Sequence, residues 1–310
     1  DLLTPWQSGE GASRLACIRQ SCRRIDDHGR TLTLHLADGT LTADHVVLAT
    51  GHVLPEPDPS AILSGAWEPI GDLDPAGRVI IIGTGLSMVD QVLSLLNRGH
   101  RGEILAVSRR GLLPREHGPT TPWTMTDRDL PSGAPVSESF RRVRILAGEA
   151  AAQGGSWRDV VDGVRPHVSR LWRAMTIGER SRCLRHAASW WDIHRHRMPP
   201  ESAAIIVAAL ERGQLRLIRG GFVDARRAED GRLVARIRPA QGRGAAAVVH
   251  EEYLARRIID CRGIRRDPLR NASPLTADLL AKGMARIDPL RIGLDVSPDC
   301  RVIDRTGRPS

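Results

Sequence analysis

The sequence contains no Cys-x-x-Cys pair, no long apolar run and almost no lysine. Its five cysteines, Cys17, Cys22, Cys183, Cys261 and Cys300, are odd in number and scattered, which argues against both a disulfide framework and a zinc site. A reducing, cytoplasmic setting is the simplest expectation. Apolar stretches such as "VIIIG" and "AAIIVAAL" fall far short of the roughly 18 residues that a membrane helix needs, so no membrane span is expected. No Ser/His/Asp constellation, carboxylate pair or metal-ligand spacing stands out, so no catalytic residue and no metal site is assigned. The net charge of +9 rests on arginine, since Lys282 is the only lysine. These arginines are spread along the chain and form no single stripe, which points away from nucleic acid and leaves local capture of a small anion as their use.

With 310 residues the chain can bury a substantial core, as one large domain or two ordinary ones. Near its start, Leu32, Leu34 and Leu36 alternate with polar residues between the turns "DDHG" and "ADG", which predicts a small meander of strands. Val46 to Ala49 is almost continuously apolar and predicts a strand covered on both faces, running into Thr50, Gly51 and His52. A connector with Pro55, Pro57 and Pro59 follows.

The stretch "GRVIIIGTGLSMVDQ" then changes period. Residues 79–82 are β-branched and apolar, as a central parallel strand requires, and Val89, Val92, Leu93 and Leu96 fall on one face of a helix that Gly99 closes. With "EILAVSRR" as the next strand, this is the front half of a dinucleotide-binding unit. Residues 111–200 read as a helical insertion, with one helix through "GERSRCLRHAASWWDIHRHR". Beyond it, "PPESAAIIVAALERGQ" predicts a helix with proline at its start and Gly213 at its end, a hairpin turns at Asp230-Gly231, and "ARRIIDCRG" runs a strand into a glycine. The grammar of hairpin, strand and glycine occurs twice, around residues 20–51 and again up to residue 263, and is an internal repeat. The fold class expected is α/β, with two nested Rossmann-like dinucleotide-binding domains carrying β-meanders, the first of them incomplete. Residues 1–70 would be the rear part of the first domain and its linker, 71–264 the second domain, and 265–310 the return to the first. The chain begins at Asp1 in mid-pattern and reads as an excerpt whose missing half would precede that residue.

"VVLATGH" ending one module and "VIIIGTGLSMVD" beginning the next resemble flavoproteins that bind FAD in one domain and NAD(P)H in an inserted second. More narrowly, "IIIGTGLSMVDQVLSL", "AVSRRGLLP", "WWDIHRHRMPPE" and "LLAKGMARIDPLRIGLDVSPDCRVID" are similar to proteins related to nitrosuccinate-forming aspartate N-monooxygenases. That resemblance implies an FAD-dependent, NADPH-using oxidoreductase acting on a small molecule, with N-oxygenation of a small amino acid such as aspartate. A flavin-linked dehydrogenase or reductase without oxygen insertion, and a non-catalytic nucleotide-binding protein, are the alternatives. Where such proteins often carry a Cys-Thr-Gly-like stretch, this chain has Cys261-Arg262-Gly263.

Within that frame Gly83 would allow the tight turn out of the strand, and Gly85 would let backbone approach a pyrophosphate with no Cβ in the way. The helix beginning at Leu86 would aim free N–H groups at the anion, so Gly83, Thr84, Gly85, Leu86 and Ser87 are candidate cofactor-binding residues. Met88 replaces the third glycine of the fingerprint, which predicts a helix slightly farther from its strand. An NAD site would carry an acid after the second strand; here stand Ser108, Arg109 and Arg110, which suits a 2′-phosphate and predicts NADPH over NADH. A solvated strand end is the other reading of the two arginines. Thr50 and Gly51 would approach the flavin nucleotide, and His52 would either hydrogen-bond in the cleft or serve structure. The run His194 to Arg197 reads as a solvated helix face or an anion site, and Trp190 and Trp191 as packing.

Overall fold

The computed structural model describes residues 15–51, 62–240, 249–263 and 267–310. The chain forms two compact units, one of Asp1–Leu54 with Ile264–Ser310, the other of Pro55–Gly263.

In the first unit, β1 (Arg24–Asp27), β2 (Leu32–His35) and β3 (Thr40–Ala43) form an antiparallel meander in that order. Gly29 and Gly39 turn between them with φ of 87° and 85°. The strand expected at Val46–Ala49 is not formed: the segment has no ladder partner, and Val47 is 89% exposed. Apolar character alone does not make a strand. Its N–H and C=O groups need a neighbouring strand on each side, and the described residues of this unit supply only the antiparallel meander. Val46 and Leu48 instead turn one face onto the cluster around Ile25.

The second unit is built on a seven-stranded mixed sheet, and its first strands are β4 (Ser64–Gly65) and β5 (Val79–Ile82). The helix α1 (Leu86–Asn97) leads to β6 (Ile104–Ser108). There follows a helical insertion of α2 (Val136–Ala152), α3 (Trp157–Val164), α4 (Val168–Ala174), α5 (Ile177–Arg182) and α6 (Ala188–Arg195). The helix expected across 178–197 forms as α5 and α6 joined without a break through one wide π turn at Cys183–Ala187, where the backbone stays right-handed helical. Then α7 (Pro200–Glu211) enters β7 (Leu215–Arg227), followed by β8 (Leu233–Pro239), β9 (Glu251–Ala255) and β10 (Arg257–Asp260).

The strand order is β4-β10-β5-β6-β7-β8-β9. Strands β4, β10, β5, β6 and the first part of β7 are parallel, whereas the rest of β7 pairs antiparallel with β8, and β8 with β9. All four residues of β5 are at most 2% exposed. Their alternation explains why: Val79 and Ile81 pack with Met88, Val92 and Ile206 of the helices, while Ile80 and Ile82 pack with Leu233, Ala235 and Ile237 of the meander. Each such fully buried side chain contributes about 2 kcal/mol of transfer free energy. The chain returns to the first unit through α8 (Pro268–Asn271) and α9 (Pro274–Lys282). Leu275 and Leu279 of α9 cover Ile25, and the Lys282 ammonium binds Asp26 Oδ1 at 2.7 Å and the Ile25 carbonyl at 2.8 Å. Hydrogen bonds from Lys282 and His35 hold the Asp26 carboxyl down at about 2.

Two buried polar groups in the second unit behave oppositely. Arg197 is 3% exposed at its side chain and grips Asp162 with two hydrogen bonds of 2.9 and 3.1 Å, while its Nε donates to the His194 carbonyl. Burial pushes the Asp162 carboxyl up, but Arg197, Thr120 and Arg165 outweigh it and hold it below 3.8. His100 is 6% exposed, and neither ring nitrogen has a partner among the described residues. Burial lowers its pKa from 6.5, against the pull of Asp74.

Removing one member of the Arg197 pair strands the other, so Asp162→Asn is expected to cost about 3 kcal/mol in urea unfolding. The His100 effect carries a pH signature. Its folded pKa lies below the unfolded value, so folded protein binds fewer protons and stability falls as pH drops below 6.5. His100→Leu is expected to flatten that part of the stability–pH curve, measured by thermal unfolding across the range.

Candidate functional site

The parallel strands end together at one edge of the sheet, and β5 is the switch point: the chain leaves it for β6 on one side, with β10 on the other. Gly83 follows β5 with φ 113°, its N–H donating to the Val107 carbonyl at 2.8 Å. A Cβ on Gly83 would stand 2.5 Å from the Cys261 carbonyl oxygen, so this position admits only glycine on steric and conformational grounds alike. Gly85 differs. It caps α1 in extended conformation, and a Cβ there would meet nothing within 4 Å. The space above Gly85 is open.

Beyond Gly85, the Val89 and Met88 N–H groups bond to the Gly85 carbonyl at 3.2 and 3.0 Å. The N–H groups of Leu86 and Ser87 precede the first helical bond and have no partner among the described residues, and the first turn holds no acidic side chain. The positive end of a 12-residue helix therefore faces the open space. Met88, in place of the third glycine, is fully buried in the core between strand and helices.

A chain of hydroxyls sets the neighbouring loop. Thr84 Oγ1 donates to the Leu112 carbonyl at 2.6 Å, which leaves the Ser108 hydroxyl to donate to Thr84 at 2.8 Å, and Ser108 Oγ accepts from the Gly111 N–H at 3.0 Å. Both hydroxyls are thus engaged within the protein. Arg110 is half-buried and donates to the Arg185 carbonyl at 3.1 Å, which ties this loop to the helical insertion. Arg109 is exposed and has no partner among the described residues.

Sequence reasoning missed two further cations at the same edge. Arg219 is exposed and stands opposite Ser108 in the β6–β7 register. Arg262 follows β10, pairs with Asp260 through bonds of 2.8 and 2.5 Å, and lies 5.5 Å over the Phe222 ring. The signal for both was present, since each stands next to a glycine after a short apolar run, but only strand register brings them to the turn. Cys261 is 7% exposed, and burial, then Asp260 and Asp90, push its thiol up to about 12. It is a thiol, not a thiolate, at neutral pH.

The other candidates lie elsewhere. Thr50 and Gly51 are exposed in the first unit with no strand before them, and His52 falls outside the described residues, as does the proline connector. The run His194 to Arg197 is neither one face nor one site: His194 caps the Trp190 carbonyl at 2.7 Å and meets Trp157 edge-on, while Arg197 is buried. Among the described residues no group of three or more His, Cys, Asp or Glu is placed to hold a metal ion, and no helix is long and apolar enough to cross a membrane.

Comparison with protein-family models and with curated proteins gives no match. Among solved structures the chain is similar to L-lysine 6-monooxygenase from Pseudomonas syringae, with a TM-score of 0.54 and 15% identity over 93% of this chain and 62% of that one. It is likewise similar to the ornithine N-hydroxylase KtzI of Kutzneria sp. 744, solved with FADred, NADP+ and L-orn, with a TM-score of 0.53 and 14% identity over 94% of this chain and 64% of that one. The chain spans less than two thirds of either protein. The likeness is one of fold: mixed α/β with a Rossmann-like parallel sheet.

The two glycines separate in a single experiment. Gly83→Ala is expected to destabilise the fold by several kcal/mol, because Cβ meets backbone and φ is left-handed. Gly85→Val is expected to leave the melting temperature within about 2 °C, read in the same thermal unfolding series, because a Cβ there meets nothing within 4 Å.

Proposed function

We propose that the second unit binds NADPH for an FAD-dependent N-hydroxylating monooxygenase. The observation that carries this reading is the open space over Gly85 at the head of α1, where the Leu86 and Ser87 N–H groups, like Arg109 at the end of the next strand, have no partner among the described residues. Backbone N–H groups of Leu86 and Ser87 would hold the pyrophosphate. Arg109 would hold the 2′-phosphate, with Arg219 adding charge from the next strand. The hydroxyl chain through Thr84 and Ser108 holds the loop in shape and needs no nucleotide to do so. When bound, NADPH supplies a hydride for reduction of a flavin.

The residues fit NADPH better than they fit FAD. In the first unit the described part of Thr50–His52 offers neither a glycine turn after a buried strand nor a helix N-terminus, so no step is assigned to those residues. FAD as the second cofactor draws its support from the fold likeness to an ornithine N-hydroxylase solved with FADred and from the repeated hairpin grammar. On the same footing the substrate is a small amino acid, and the resemblance of the chain favours aspartate. The division into a first FAD-binding portion, an NADPH-binding portion of residues 71–264 and a return segment belongs to this proposal, as does action in the cytoplasm.

Binding selectivity tests the cofactor, and oxygen tracing tests the reaction. The protein is expected to bind NADPH more tightly than NADH, and Arg109→Gln to lose roughly tenfold or more of that preference, the worth of one charge-assisted hydrogen bond. Equal affinity of the parent protein for both nucleotides would sink the assignment. In FAD-loaded protein, NADPH oxidation should place oxygen from labelled O₂ on the amine nitrogen of aspartate. Oxidation without incorporation would leave a reductase in its place.

A further inference from the structure

We propose that the helical insertion carries a second ligand site, a hollow beside α3, α4 and α6 that takes a small carboxylate bearing a flat apolar group. The hollow has a volume of about 650 Å³, within the range of small-molecule sites. It shares no residue with the glycine turn and does not depend on the nucleotide reading.

Charge accounting selects the ligand's sign. Three charged residues line the hollow: Asp162, Arg165 and Arg195. The Asp162 carboxylate is already committed, for it accepts two hydrogen bonds from the buried Arg197 and one from Thr120, while Arg165 lies farther off at 3.5 Å. One negative charge is thus answered by Arg197 outside the lining. Arg195, the last residue of α6, has no hydrogen bond or ion pair among the described residues, and Arg165 keeps a side chain 47% exposed. Two guanidinium groups border the space with no free acid between them. Planar, weakly hydrated guanidinium is suited to bidentate capture of a carboxylate.

The remaining wall selects the ligand's body. Pro122, Pro166, Val168 and Trp191 complete the lining, and none of them carries a charge. A fully hydrated anion such as phosphate gains nothing from that wall, whereas a carboxylate on an aromatic ring removes apolar surface from water on both sides. The site is held open by rigid parts: Asp162 and Arg197 lock α3 to the end of α6, and the guanidinium of Arg197 lies 5.1 Å over Trp157. The hollow therefore does not need a ligand to take shape.

Equilibrium dialysis of the 310-residue protein against labelled benzoate tests this, with inorganic phosphate as competitor. One saturable benzoate site per chain is expected, with phosphate a much weaker competitor. Arg195→Gln should weaken benzoate at least tenfold. Val168→Glu, which sets a carboxylate into the hollow from an exposed position, should weaken it as much. The thermal unfolding midpoint of both variants should lie within about 2 °C of the parent protein's, which would show that they fold. No saturable benzoate binding by the parent, binding unchanged in both variants, or phosphate competing as well as benzoate would each overturn the proposal.

Discussion

Between β5 and β10 the backbone leaves the sheet with no space for a side chain. The Cys261 carbonyl occupies the place that a Cβ at Gly83 would take, while the Gly83 N–H is bound to Val107 on the opposite strand and the Cys261 N–H to Ile82. That close approach determines the direction in which the chain can go. Thr84 is turned inward to the Ser108 hydroxyl, and Gly85 is turned outward at the head of α1. The open cradle is thus a consequence of tight packing one residue earlier. A strand buried on both faces gives the turn its rigidity, because every residue of β5 is held by the helices or by the meander.

Arginine does two kinds of work in this chain. Much of it is spent on structure: Arg78 and Arg216 share Glu103 across β5, β6 and β7, and Arg197 organises the insertion from within. Such pairs tie neighbouring elements together, and the exposed ones contribute little stability singly. Other arginines have side chains with no hydrogen bond or ion pair among the described residues, among them Arg109 and Arg219 at the sheet edge and Arg195 at the hollow, where Arg165 stands 3.5 Å from Asp162. A high net charge therefore says little, and the location of the unpaired guanidinium groups says more. The single lysine serves neither place, since it joins α9 to β1 in the first unit.

Local signals were legible wherever they coincided with a buried period. Val79–Ile82, the spacing of Val89, Val92 and Leu96, and the glycines at 99 and 213 all predicted elements that form, because a strand covered on two faces and an amphipathic helix leave unambiguous patterns. Val46–Ala49 shows the limit. It carries the composition of a buried strand and is not one, since the hydrogen-bonding partners of a strand are not written in its own residues. The π turn at Cys183–Ala187 and the strand β9 were missed for the same reason, being consequences of packing and pairing with distant residues.

The sequence by itself determined the strand–glycine–helix unit and the helical character of the insertion, because each depends on residues near one another in the chain. Which arginines remain available was decided only by the tertiary structure. Arg109 and Arg110 are adjacent and equivalent as letters, yet one faces solvent beside the glycine turn and the other is drawn to the Arg185 carbonyl 75 residues away. Arg219 joins them through strand register, and Arg195 and Arg197, two residues apart on the same segment, divide into a pocket wall and a buried tie. Free charge is a property of what has been left unpaired, and pairing is settled in three dimensions.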